Sequence, residues 1–266
     1  DAARHGFSGI LSAGYYLDHM EPASTLYAVD PMDNAALLND EEQARILGGE
    51  VAMWGEFVSP ENIDSRIWPR AAAVAERLWS PREVKDVPSM YRRLDQVSGE
   101  LDRQGLTHRA SFIPMLERLA AGESVGPLKT LAEVVEPATF GQRIRTHKYS
   151  QLTPLNRLVD VARPESDTAR EFATMIDRMD RVQLRIWLNR WRDNNVPGEP
   201  ASEVLRRVSG IGLEALGYLD RNQRPPDTWP AQQRAFLETL KKPVGELRIA
   251  IAPSIERLVS AAASQP

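Results

Sequence analysis

Short apolar runs alternate with helix-patterned segments twice in the first 110 residues, and after that only helix patterns follow. This order constrains the fold more than any other feature. Phe7-Ser8-Gly9-Ile10-Leu11-Ser12 predicts a strand, and a loop from Ala13 to about Asn39, carrying Pro22 and Pro31, follows it. Asn39 or Asp40 is placed to cap a helix over Glu41–Leu47, which Gly48-Gly49 would end. Glu50–Trp54 predicts a second strand, and a helix over Arg66–Trp79 places Ile67, Ala71, Val74, Ala75 and Leu78 on one face. Pro88 suits the start of the next helix, whose stripe is Met90, Leu94, Val97 and Leu101 and whose end is Gly105. Asp1–His5 reads as a helix end stopped by Gly6.

Strand, loop, helix, repeated, is the pattern of parallel βα units. Two units close nothing, and a (β/α)8 TIM barrel needs about 250 residues. An isolated pair of parallel strands would leave apolar faces and edges open. The expected fold class is therefore α/β: the last two βα units of a TIM barrel over residues 1–110, then an all-α C-terminal domain over 111–266. Helices are expected near 111–121, 128–135, 152–162, 166–193, 201–220, 229–240 and 243–262. Val204, Val208, Ile211, Ala215 and Leu219 make one amphipathic stripe, and Leu247, Ile251, Ile255 and Leu258 another; both read as core faces.

Composition excludes several functions. The chain has no cysteine, so disulfides, thiolate ligands and a cysteine nucleophile are out. Net charge is −4, too weak to argue for nucleic acid. The Arg-rich stretch Arg181–Arg192 with Trp187 and Trp191 reads better as a packed helix with a solvated face. No apolar run is long enough to span a bilayer. His5, His19, His108 and His147 show no ligand spacing, and there is no phosphate loop or serine elbow, so no metal and no cofactor is expected. Residues 1–110 hold eleven Lys+Arg against eighteen Asp+Glu, a balance that suits neutral polar ligands better than phosphates.

In parallel barrels, function clusters just after the C-terminal ends of the strands. That rule singles out Tyr15-Tyr16-Leu17-Asp18 after the first strand and Trp54-Gly55-Glu56 at the end of the second. An aromatic ring covers the C–H face of a pyranose, and a carboxylate accepts from hydroxyls. Packing aromatics and solvated acids are the competing reading of the same residues.

These segments resemble a known family. Glu50-Val51-Ala52-Met53-Trp54-Gly55-Glu56, then Asn62, Arg66 and Trp68 through Ser80, is similar to the closing segment of family 20 glycoside hydrolases, the β-N-acetylhexosaminidases. Ile10-Leu11-Ser12 through Tyr16-Leu17-Asp18 is similar to their preceding strand and loop, and the helical half resembles the extension of some bacterial members. The resemblance implies a carbohydrate substrate with a terminal β-linked N-acetylhexosamine and retaining, substrate-assisted catalysis, in which the 2-acetamido oxygen attacks C1. It implies that the Tyr16 hydroxyl holds that oxygen, that Asp18 and Glu56 bind outer hydroxyls, and that Trp54 walls the acetamido pocket. Trp68, Arg70, Glu76, Arg77 and Trp79 would serve packing and ion pairing.

The family's Asp-Glu pair and its substrate-binding arginine have no counterpart here; Asp40-Glu41 sits at a helix start instead. The resemblance thus implies a missing N-terminal part of the same protein as a partner, and no hydrolysis by this chain alone. A non-catalytic sugar-binding module and a helical interaction domain are the alternatives. A bacterial source would favour the periplasm or secretion.

Overall fold

The computed structural model describes residues 1–33 and 37–266, so residues 34–36 of the expected Ala13–Asn39 loop lie outside the described residues. The chain forms two compact units, Asp1–Phe112 and Ile113–Pro266.

In the first unit, strands β1 (Gly9–Leu11) and β2 (Ile46–Gly49) pair in parallel, Ile10 against Gly48 and Leu11 against Gly49. The pairing continues as an isolated parallel bridge between Tyr16 and Ala52. The second strand therefore begins four residues earlier than Glu50, and the expected helix over Glu41–Leu47 shrinks to α2 (Asp40–Gln43). Its start is as expected: Asn39 and Glu42 form a reciprocal capping box. The pair Gly48-Gly49 serves the strand rather than a helix end. A Cβ on Gly49 would stand 2.5 Å from a ring carbon of Tyr15 and 3.2 Å from the Leu11 carbonyl oxygen. Tyr15 is fully buried and cannot yield, so Gly49→Ala is expected to destabilise this unit by about 1–3 kcal/mol, measured by urea denaturation. A cost under a few tenths would show that the ring has room to move.

The expected loop holds a helix, α1 (Ala23–Ala28), whose Ala23, Leu26 and Tyr27 are buried. The expected helix Arg66–Trp79 is two, α3 (Ile63–Ile67) and α4 (Arg70–Trp79), parted at Pro69, which has no N–H to continue the ladder. Ala71 and Val74 join Tyr15, Leu17 and Leu26 in one cluster, with Ile67 and Leu78 packed against it. Ala75 is exposed, contrary to its place in the expected stripe. Burial on α4 is centred on Arg70, Ala73, Val74 and Arg77, which turns Ala75 outward. Two arginines occupy the buried face, where backbone carbonyls and Asp30 accept from their Nη and Nε groups: Arg70 Nη1 and Nη2 and Arg77 Nε and Nη2.

Helix α5 (Val87–Arg103) is capped by Asp86, has Pro88 in its first turn and ends at Gly105, whose φ is 90°. Its Met90 and Leu94 pack on Ala23, Tyr27 and Ala73. Between α4 and α5, Glu76 accepts from Arg93 and from the Tyr27 hydroxyl. The Arg93 hydrogen bonds hold its carboxyl below the usual range against the opposing effect of burial. Trp68 packs on the core, but Trp79 is 93% exposed and packs on nothing there, against the expectation.

The second unit contains helices α6 (Phe112–Ala120, beginning at the unit boundary), α7 (Val125–Ala132), α8 (Phe140–Thr146), α9 (Leu158–Val161), α10 (Asp167–Asp177), α11 (Arg181–Arg192), α12 (Pro200–Asp220), α13 (Thr228–Thr239) and α14 (Ala252–Ala263). It is not all-α: β3 (Val135–Pro137) and β4 (Leu247–Ile249) form an antiparallel pair, with Glu136 opposite and ion-paired to Arg248. Strands of three residues are too short for periodicity to reveal, so Leu247 of the expected helical stripe lies in β4. The expected 166–193 helix breaks at Met179, which adopts the left-handed conformation. Val208, Ile211, Ala215 and Leu219 of α12 are buried, as are Ile255 and Leu258 of α14. Trp187 stacks on Phe172 and Trp191 meets that ring edge-on, so the Arg-rich helix is a packed one.

A buried polar network closes this unit. Arg143 and Asp160 are ion-paired with side chains almost wholly out of solvent. The Tyr149 hydroxyl lies among Arg143, Arg157 and Glu246, and Arg157 pairs with Glu246 at 2.5 Å. Burial, reinforced by Glu246, pushes the Tyr149 phenol up to about 12.

Candidate functional site

Tyr15 and Tyr16 are adjacent in extended chain, so their rings point to opposite sides. Tyr15 enters the core, its hydroxyl donating to the Val29 carbonyl at 3.0 Å. Tyr16 is left half-buried at the end of the first strand's path. On the second path, Ala52 bridges to Tyr16, Met53 packs into the core, and Trp54, two residues beyond Ala52, returns to the Tyr16 side. The two rings meet edge to face, centroids 6.5 Å apart and planes 85° apart. The indole stays 55% exposed, leaving a face for a ligand.

After Tyr16 the chain makes one 3-10 turn, Leu17–His19, closed by Met20 in the left-handed region. Residues three apart eclipse in such a turn, which brings the His19 ring edge-on to Tyr16 at 5.4 Å. His19 is exposed, and the signal in the sequence for its contact with Tyr16 is the i+3 spacing. Asp18, inside the turn, is 8% exposed, and its Oδ1 has no hydrogen-bond partner. Buried carboxylate oxygens are ordinarily satisfied, so this one stands out. The Tyr16 hydroxyl likewise makes no hydrogen bond within the described residues.

Tyr16 and Trp54 thus meet, and Asp18 lies in the turn that follows Tyr16. Glu56 stands in an exposed turn two residues past Trp54 and has no hydrogen-bond or ion-pair partner among the described residues. Among the described residues no three His, Asp or Glu side chains converge as a metal site. No described helix is long and apolar enough to cross a membrane.

Comparison with known proteins adds the following. Residues 3–82 match the model for glycosyl hydrolase family 20, catalytic domain. Beta-hexosaminidase subunit beta of Sus scrofa is 41% identical over 110 residues, covering 40% of this chain and 20% of that protein. Subunit alpha of Bos taurus is 42% identical over 106 residues, covering 39% and 20%. The chain thus spans about a fifth of the length of these curated relatives. Among solved structures, the chitobiase of Flavobacterium johnsoniae superposes with a TM-score of 0.80 at 28% identity, covering 97% of this chain and 42% of that one. The structural match therefore takes in the helical unit, which the curated matches, at 40% of the chain, do not reach in full. Residues 3–82 thus carry the pattern of the glycosyl hydrolase family 20 catalytic domain, and the fold of nearly the whole chain is similar to that of a chitobiase.

Proposed function

We propose that this chain is the C-terminal part of a β-N-acetylhexosaminidase that releases terminal β-linked N-acetylglucosamine or N-acetylgalactosamine by substrate-assisted, retaining catalysis. The observation that carries the reading is the convergence of Tyr16 on Trp54, with a buried, unpartnered Asp18 oxygen in the turn that follows Tyr16. The indole supplies an apolar wall, the phenol a donor for the attacking acetamido oxygen, and Asp18 with Glu56 acceptors for outer hydroxyls. A general acid is not among these residues, so the Asp-Glu pair that protonates the leaving group would come from a preceding part of the same protein, and this chain alone would not hydrolyse substrate.

The sheet supports the same reading. Ile10 is 55% and Leu47 65% exposed on two strands with open edges, the surface expected where further barrel strands would pack. The names of the matched relatives, beta-hexosaminidase and chitobiase, agree with it.

The test is turnover of a chromogenic N-acetyl-β-glucosaminide by the full-length gene product and by this chain alone. Turnover by the first and not the second is expected. Sugar binding without turnover by the full-length product would favour a non-catalytic binding module. No observation favours the helical unit as an independent interaction domain.

A further inference from the structure

We propose that Arg70, on the helix behind the site, is the positioning residue that sets where Tyr16 and Asp18 stand. The inference rests on the reading of Tyr16, Asp18 and Trp54 as a sugar site, and concerns a residue that touches none of the sugar itself.

Leu17 separates Tyr16 from Asp18, so whatever holds its two peptide groups aims both side chains. Its N–H donates to the Ala52 carbonyl at 2.9 Å, two residues before Trp54. Its carbonyl accepts from Nη2 of Arg70 at 2.9 Å, and its side chain is sealed in the core. Nη1 of the same guanidinium donates to the Glu21 carbonyl at 2.8 Å. One side chain thus spans the turn from Leu17 to Glu21, with Asp18 and His19 between its two points of attachment.

Nη2 also donates to the Arg66 carbonyl. That carbonyl belongs to the last turn of α3, where the break before α4 leaves helix carbonyls without their i+4 partner. Arg70 therefore ties the end of one helix, the site turn and the chain beyond the turn to one rigid plane. It is 2% exposed, so water does not compete for these bonds. A planar fork with fixed donor directions is required; the ammonium of lysine is a point charge on a flexible stem and cannot span both carbonyls in the same plane. Binding and catalytic side chains must be held to within about 0.5 Å, and about 1 Å of misplacement costs on the order of 10²-fold in rate.

The test compares the parent chain with Arg70→Lys and Arg70→Ala. The primary reading is the Tyr16–Trp54 ring contact by NOE and the exchange protection of the turn amides, neither of which needs a ligand. Arg70→Lys is expected to stay folded by far-UV CD while losing the ring contact and the protection. Adding ethylguanidinium, but not ethylammonium, to Arg70→Ala is expected to restore both, which a simple packing defect would not show. In the parent itself, the Arg70 Nη protons are expected to be resolved and slow to exchange, a measurement that stands even if the variants do not fold. Averaged Nη signals, or an unchanged ring contact in Arg70→Lys, overturns the proposal.

Affinity for N-acetylglucosamine is the second reading, expected to fall about tenfold or more in Arg70→Lys. A parent chain that keeps the ring contact yet binds no sugar counts against the functional reading, and the role of Arg70 is then decided on the NOE and Nη data alone.

Discussion

Tyr16→Phe in the full-length gene product is expected to lower kcat/KM for an N-acetyl-β-glucosaminide by about 10²-fold, the scale of misplacing a reacting atom by about 1 Å. In the proposed role the loss should fall mainly on kcat, because the hydroxyl holds the acetamido oxygen in the near-attack geometry for C1. Stability should be unchanged, since the Tyr16 hydroxyl has no hydrogen-bond partner among the described residues and the ring that packs on Trp54 and His19 is kept. That separation makes the measurement clean. A variant with the parent's kcat/KM would remove the phenol from the reaction and leave the ring as a packing group.

Asp160→Ala is expected to give the largest loss of stability, about 3–5 kcal/mol, because it removes the buried partner hydrogen-bonded to the Arg143 guanidinium and leaves only Glu246, 3.4 Å away and shared with Arg157. The Asp160 side chain also accepts from the Arg157 amide at 2.9 Å, capping α9, so a helix start is weakened as well. Urea denaturation followed by far-UV CD checks this, with the transition of the second unit read separately from that of the first. The double change Asp160→Leu with Arg143→Met should cost far less than Asp160→Ala, since replacing a buried pair by apolar groups of similar size is often near neutral. If the double variant were the less stable of the two, the network around Tyr149 and Glu246, and not the Arg143–Asp160 pair, would be the source of the stability.

Several parts of the fold were legible in the sequence for local reasons. The capping box at Asn39, Pro88 in the first turn of α5 and Gly105 just past its end are readable because each acts within one turn of its own position. The α12 stripe was readable because one face of a long helix repeats often enough to stand above chance. Errors gathered where distant contacts outweigh the local pattern. Gly48-Gly49 has the form of a helix stop, but Gly49 lies under the Tyr15 ring, a neighbour thirty-four positions away in the chain. Residues β3 and β4 share are even further apart, and neither strand is long enough to show a period of two.

For the site, position after the two strands pointed to the Tyr15–Asp18 and Trp54–Glu56 segments, and the family resemblance chose Tyr16, Asp18, Trp54 and Glu56 within them. The sequence did not contain the distance between the rings, the unsatisfied oxygen of Asp18 or the grip of Arg70 on the Leu17 and Glu21 carbonyls. These depend on which backbone groups a third, remote segment brings within hydrogen-bond range. The resemblance gives Arg70 a part in packing and ion pairing; that its partners are backbone carbonyls depends on where the rest of the chain leaves acceptors unpaired, and that is a property of packing in three dimensions.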